Sequence, residues 1–358
     1  MSPLRQEAVV RAPGRVNLMG DHTDYADGFA LPLAIDLETR VAFRPATDGR
    51  VRMRSTAFEG AVDVPADGGV DPRTVDPPWG RLVAGVVHTL STRGRPPVGL
   101  DAMVTSTVPP GSGLSSSAAL GVSTALALLD VAAWALPPTE IAIACQEAEH
   151  LGTGVPSGIM DQLTSIRGVA GHALLLDCRT LSVEPVPLPS AYAIVVVHSG
   201  LPRALAESAY AQRHAAVAAA AARLGLDALR DATPDQVADD PIARHVVSEN
   251  ARVLAAVAAL RAGDVGALRP LFAASHASLR DDFGVSTPEL DRLVELLVEL
   301  GAVGARLTGA GFGGCVVAVV QRNHADDLTA KVTSAYRREL MLEPRAFVVR
   351  AADGAGPA

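Results

Sequence analysis

Apolar and polar positions alternate through residues 8–46, and that two-residue period predicts a hairpin or meander of strands, with 29–35 and 40–43 among them. A second hairpin is expected at 51–58, followed by a loop of Pro, Asp and Gly that ends at Trp79. The period then changes. Leu82, Val83, Val86, Val87 and Leu90 share one side of a helix over 80–92. A strand is expected at 99–108, a long apolar helix up to 129, and another helix at 139–151. Strands at 172–177 and 191–198 are separated by the proline-rich 184–189, where the domain boundary is placed. Helical spacing returns at 203–224, 243–262, 264–282 and 287–300. A glycine-rich stretch at 304–315 leads into a strand at 316–320, and a strand at 345–350 closes the chain. The pattern is mixed α and β, without an internal repeat.

Composition narrows the class. At 358 residues the chain has room for two domains, and 49% hydrophobic residues imply a filled globular core. The formal net charge is −8 and no basic run occurs, which argues against nucleic acid or an anionic membrane as partner. The alanine-rich helix near 204–224 carries Arg213, His214 and Arg223, so it is not expected to cross a bilayer. No signal peptide is expected ahead of the first polar cluster, and Cys145, Cys178 and Cys315 lack metal-ligand spacing and cannot all pair. A reducing, cytoplasmic setting is expected. Lys331 is the only lysine, so the Gly-Lys-Ser/Thr triplet of a Walker phosphate loop is absent.

Four stretches carry candidate chemistry. Arg11-Ala-Pro-Gly-Arg-Val-Asn-Leu-Met-Gly-Asp-His-Thr-Asp-Tyr25 sets Arg15, Asn17, Asp21, His22 and Asp24 among apolar residues, in a turn between strands. That density suits a site for a polar small molecule. Pro109-Pro-Gly-Ser-Gly-Leu-Ser-Ser-Ser-Ala-Ala-Leu120 is a glycine loop opening a helix. Free N–H groups at a helix start favour phosphate, and a serine hydroxyl can bind Mg²⁺ beside it, although the same residues also suit an ordinary serine-capped helix. Glu147 and Glu149 are two apart on a helix, so at most one of them enters a given site. The loop Gly152-Thr-Gly-Val-Pro-Ser-Gly-Ile-Met-Asp-Gln-Leu163 delivers Asp161 at the start of a further apolar segment, as a site residue or as a helix cap. Tyr210 lies on the first helix after the boundary. Gly309, Gly311 and Gly314 fit Gly-x-Gly-x-x-Gly, but the loop leads into a strand, which excludes a dinucleotide-binding reading.

In this order the stretches resemble the galactokinases of the GHMP kinase superfamily, over nearly the full length. Gly14 to Tyr25 resembles the galactokinase signature, Pro110 to Ala118 the phosphate loop, Gly158-Ile-Met-Asp-Gln162 the catalytic-aspartate segment, and Ser278 to Asp291 with Thr308 to Cys315 the C-terminal half. The resemblance implies an α+β, two-domain fold. Residues 1–182 would form a ribosomal S5 domain 2-like domain and residues 183–358 a ferredoxin-like one. It also implies transfer of the ATP γ-phosphoryl to the C1 hydroxyl of α-D-galactose, the entry step of galactose catabolism. Arg15 and Asp161 would flank that hydroxyl. Asp21, His22, Asp24, Gly158 and Tyr210 would line the sugar pocket. Gly111, Ser112, Gly113, Leu114, Ser115, Ser116 and Ser117 would hold the triphosphate, Ser117 and Glu149 the Mg²⁺, and Trp79 would border the adenine. The partners implied are the sugar and ATP, and a monomer is compatible with them. Two departures bear on the sugar: Asp21 stands where the family most often has Glu, and 198–205 is less polar than usual. They leave a related sugar, such as N-acetylgalactosamine or arabinose, as an alternative. A silent galactose sensor is the third reading, against which the intact phosphate loop, Arg15 and Asp161 argue.

Overall fold

The computed structural model describes residues 7–201 and 206–358. The chain begins with β1 (Ala8–Asn17), β2 (Phe29–Ala30), β3 (Pro32–Ala46), β4 (Arg50–Ser55) and β5 (Ala61–Pro65). Then come α1 (Gly80–Thr92), β6 (Gly99–Ser106), α2 (Ser116–Val131), α3 (Pro138–Thr153) and α4 (Met160–Arg167). The middle holds β7 (His172–Asp177), β8 (Ser182–Pro187), β9 (Tyr192–His198), α5 (Ala206–Leu224), α6 (Pro241–Arg261), α7 (Leu268–Asp281) and α8 (Pro288–Glu299). It ends with β10 (Gly304–Thr308), β11 (Cys315–Gln321), α9 (Ala325–Leu340), β12 (Arg345–Val349) and β13 (Gly356–Pro357).

Among the described residues there are three sheets, ordered β13-β1-β3-β6-β4-β5, β10-β11-β9-β12 and β2-β7-β8. Helices α1, α2 and α3 cover one face of the six-stranded sheet, where Val83, Val86, Val122 and Ala144 meet Val41, Val51 and Val104. The four-stranded sheet is buried on both faces, which is why β9 and β11 are apolar at nearly every position. Val195 and Val197 pack with Leu293, Val332 and Tyr336 on one side. Ile194 and Val196 pack with Leu18, Leu33, Val257 and Phe272 on the other. This second layer brings the end of β1 into the same core as α6, α7 and β11, and so fixes the first polar cluster against the C-terminal half. The chain end returns to the first sheet, with Val10 facing Pro357.

Three elements differ from the pattern reading. The proline-rich 184–189 was expected to separate strands, yet β8 runs through it and pairs antiparallel with β7. Its prolines are tolerated because β8 is an edge strand. Residue 183 therefore lies inside a strand. Helix α9 carries a thin buried stripe, Ala325, Leu328, Val332 and Tyr336, among charged residues, and the pattern reading passed over it. Strand β10 lay within what was read as a glycine-rich loop. The first residues of the helix expected at 203–224 fall at 203–205, outside the described residues, as does half of 198–205.

Candidate active site

A cleft of about 400 Å³ opens where the first polar cluster, the phosphate loop, α4 and the glycine loop after β10 converge. Its base is set by β1. The pairing of β1 with β3 shifts register between Pro13 and Arg15: Gly14 is left unpaired, and Arg15 resumes the ladder opposite Ala34. Gly14 lets the phosphate loop close on this strand, since a Cβ there would stand 2.6 Å from Leu114 O. Arg15 N donates to Leu114 O at 3.1 Å. Its guanidinium is buried and makes a two-pronged pair with Asp161, Nε to Oδ1 at 2.7 Å and Nη2 to Oδ2 at 2.8 Å. Nη1 donates to Gly113 O at 2.7 Å. Asp161 sits in the first turn of α4, so the pair joins β1, the phosphate loop and α4. Bidentate arginine–carboxylate geometry fixes direction as well as charge.

The turn after β1 holds the other polar residues. Gly20 and His22 both adopt left-handed backbone, with φ of 90° and 65°. Asp21 is 1% exposed. Its Oδ2 lies 2.7 Å from Arg306 Nη1, and Oδ1 accepts from Gly309 N at 2.8 Å. Burial pushes this carboxyl upward, against Arg306, the Asn17 side chain and the Gly309 N–H. His22 Nδ1 is 2.8 Å from the Tyr25 hydroxyl, and its ring packs on Phe283 and Tyr210. Burial, with His245 nearby, lowers its pKa to about 3, so the ring is neutral. Asp24 faces the cleft. Burial and the neighbouring Asp161 raise its carboxyl to about 7 while Arg15 opposes the rise. Gly158 backs onto this carboxylate, and its backbone also meets the Tyr210 hydroxyl, which burial pushes well above its usual range.

Across the cleft, Gly111 and Gly113 take left-handed conformations, as does Ser115, and Ser116 and Ser117 open α2. Ser115, Ser116 and Ser117 face the cleft with the backbone of both glycines. Ser112 and Leu114 turn inward: Ser112 Oγ donates to Pro109 O at 2.7 Å, and Leu114 is fully buried in the core. Glu149, near the end of α3, lines the cleft and accepts from Gln162 Nε2 at 2.7 Å. Burial raises its carboxyl, and the Ser117 hydroxyl beside it pulls the other way. Glu147 points to the opposite face, where Arg93 Nη2 reaches it at 2.9 Å. Trp79 stands outside the residues lining the cleft. It stacks on Phe58 with ring centres 6.2 Å apart, and its Nε1 donates to Glu59 O.

The pattern reading missed the support behind Asp21. Arg306, fully buried on β10, also donates to Leu18 O at 3.0 Å and to Glu249 Oε1 at 3.2 Å. Glu249, on α6, accepts from Gly20 N at 2.9 Å, from Ser275 Oγ and from Arg252 Nε at 2.6 Å. Burial pushes the Glu249 carboxyl up, but Arg306 and Arg252 win and hold it at about 2. The available signal was a lone arginine inside an otherwise apolar strand, since such a charge needs a buried partner.

A glycine loop at a helix start, facing a carboxylate–arginine pair across a polar pocket in this fold, defines a GHMP kinase. The family models described as GHMP kinases N terminal domain and GHMP kinases C terminal match residues 81–169 and 256–338. A third, the galactokinase galactose-binding signature, matches residues 3–45. Galactokinase of Roseiflexus sp. (strain RS-1) is 44% identical, covering 99% of this chain and 93% of that protein. Galactokinase of Chloroflexus aurantiacus is 46% identical over 92% of this chain and 87% of its own. The crystal structure of Lactococcus lactis galactokinase complexed with galactose superposes with a TM-score of 0.92 at 32% identity, covering 99% of this chain and 96% of that one. Methanococcus jannaschii mevalonate kinase, at 18% identity and a TM-score of 0.72, shares the fold. The chain belongs to the galactokinase family.

Proposed function

We propose that this cleft transfers the γ-phosphoryl of ATP to the C1 hydroxyl of α-D-galactose, giving galactose 1-phosphate and ADP. The observation that carries the reading is the two-pronged Arg15–Asp161 pair, set between the sugar-side turn and the phosphate loop. The C1 oxygen bonds to the γ-phosphorus as the bond from that phosphorus to the bridging oxygen breaks. The electron pair leaves on ADP, and the C1 proton passes to Asp161. Phosphoryl transfer needs positioning and charge stabilisation more than covalent chemistry. Arg15 supplies both, because its guanidinium fixes Asp161 and stabilises charge growing on the transferred group.

Asp21, His22, Asp24, Gly158 and Tyr210 form the sugar side. Neutral His22 and the Asp24 carboxyl offer hydrogen bonds in fixed directions to ring hydroxyls. The backbone of 111–117 and the hydroxyls of Ser116 and Ser117 take the triphosphate, and Trp79 with Phe58 gives the adenine an aromatic border. Ser117 and Glu149 suit Mg²⁺, because both present hard oxygen atoms to the cleft beside the triphosphate position. Few further protein ligands are needed, as Mg²⁺ is commonly held by one or two carboxylates with substrate phosphates, and the described residues contain no cluster of three or more His, Cys, Asp or Glu able to hold a metal. When bound there, Mg²⁺ would neutralise triphosphate charge. The two domains would be residues 1–182 and 183–358, each of which lines part of the cleft. Three buried cysteines, none of them in a disulfide, favour a cytoplasmic setting, and a monomer suffices for the chemistry.

Purified protein with Mg-ATP and galactose should yield galactose 1-phosphate, and no product would overturn the reading. A second reading keeps the reaction and changes the sugar. It is favoured by Asp21, whose short carboxylate is drawn onto Arg306 and Gly309. A comparison of kcat/KM for galactose, N-acetylgalactosamine and arabinose decides between them.

A further inference from the structure

Ser115 occupies the position just before α2 where serine ordinarily caps a helix by accepting from a backbone N–H. It makes no such cap. Its backbone is left-handed, at φ 58° and ψ 46°, a conformation uncommon for any residue but glycine. That turn aims the side chain away from α2 and toward α4, where Ser115 Oγ donates to Asp161 Oδ2. The same loop is tied to Arg15 twice, through Gly113 O at 2.7 Å and Leu114 O at 3.1 Å. Phosphate loop, arginine and aspartate thus close a ring of hydrogen bonds.

We infer that Ser115 is a positioning residue for Asp161, directing the carboxylate toward the sugar hydroxyl, rather than a side-chain ligand of the triphosphate. This rests on Asp161 being the group that meets C1. A hydroxyl has one proton, and the one on Ser115 is committed to Asp161. A carboxylate has about four acceptor directions. Arg15 Nε, Arg15 Nη2 and Ser115 Oγ fill three of them, which leaves one for the incoming C1 hydroxyl. Without Ser115 the carboxylate keeps its charge and its arginine but gains a second open direction on Oδ2, so fewer encounters are aligned.

The test compares Ser115→Ala and Ser115→Gly, alone and combined with Asp161→Asn. Glycine accepts the left-handed backbone freely, so Ser115→Gly separates the missing hydroxyl from backbone strain. Both single variants should lose about tenfold or more in kcat, the scale of a hydrogen bond to a charged group, with KM for ATP unchanged. Neither should add to the loss already caused by Asp161→Asn, because the serine acts through that carboxylate. A raised KM for ATP with kcat retained, or losses that multiply in the double variants, would overturn the inference. Full turnover by Asp161→Asn alone would overturn the reading of Asp161 and this inference with it, and that result is recognised from the single variant.

Discussion

Asp24 Oδ2 occupies the place where a side chain on residue 158 would begin: a Cβ built on Gly158 falls 1.9 Å from it. Gly158 has no left-handed φ, so alanine suits its backbone and the conflict is purely one of contact. Gly158→Ala must therefore displace the Asp24 carboxylate from the cleft. The expected result is a rise of about 10- to 100-fold in KM for the sugar, the value of a hydrogen bond to a charged group, with KM for ATP unchanged. Steady-state kinetics with each substrate varied in turn checks it, and equal effects on both would refute the assignment of Asp24 to the sugar side.

Asp24 also links sugar binding to pH. Burial and Asp161 raise its carboxyl from 3.8 to about 7. Between those values the folded chain keeps a proton that the unfolded chain releases, so this group's contribution to stability falls as pH rises through that window. Sugar hydroxyls donating to the carboxylate favour its charged form. Binding near pH 7 should therefore release a proton, and Asp24→Asn should abolish the release. Calorimetry in buffers of different ionisation heat measures it, and identical binding heats across buffers for the unmodified protein would exclude the linkage.

Asp161→Asn keeps the shape of the side chain and removes the charge that faces Arg15. Turnover should fall by about 10²- to 10⁴-fold, the range for a positioned proton acceptor, while KM for the sugar moves only severalfold. Retained kcat would take Asp161 out of the chemistry.

The sequence made some of this legible and hid the rest for physical reasons. Helix α1 was readable to the residue because five large apolar residues mark its buried side. Arg15 and Asp161 stood out because each sits in a short segment where glycines and polar groups interrupt an apolar pattern, though nothing in spacing says that residues 146 positions apart touch. Ser115 was read with its neighbours as a phosphate ligand, since a pattern does not show that its backbone is left-handed. Arg306 was missed because its strand reads as part of a glycine-rich loop, and Glu249 because it belongs to an ordinary helix; only the fold brings them behind Asp21. Helix α9 shows the limit of periodicity: four buried residues in sixteen leave a stripe too thin to stand out.

That hidden support should dominate stability. Arg306 and Glu249 are both fully buried, and with Asp21 and Arg252 they form a cluster of two cations and two carboxylates whose charges balance. Removing one charge leaves an uncompensated one inside, at a cost of about 3–5 kcal/mol. Arg306→Met and Glu249→Gln should each lower the denaturation midpoint accordingly, whereas the exposed pair Lys331–Asp327 should matter little when broken. The Glu249 carboxyl is held at about 2, below its usual 4.5, so its contribution is complete above pH 4.5 and is lost as pH falls toward 2. Urea denaturation at neutral and acid pH tests this, and an Arg306→Met protein as stable as the original would show that the pair is dispensable.

Position 21 joins this support to the sugar. Both carboxylate oxygens of Asp21 are engaged, one with Arg306 at 2.7 Å and one with Gly309 N at 2.8 Å, and the residue is 1% exposed. A glutamate has one more methylene to place in the same space. If the carboxylate stayed on Arg306, the stem would crowd the core, at about 1–3 kcal/mol. If it moved forward past Gly309, it would enter the cleft beside His22 and narrow the sugar pocket. Either route has a measurable result for Asp21→Glu: a lower denaturation midpoint with unchanged sugar preference for the first, or a changed ratio of kcat/KM between galactose and bulkier sugars for the second. Arg306 at 2.7 Å offers a strong, buried partner that the forward position would forfeit, so the first outcome is expected. A changed sugar preference at full stability would instead make position 21 a direct determinant of which sugar the cleft accepts.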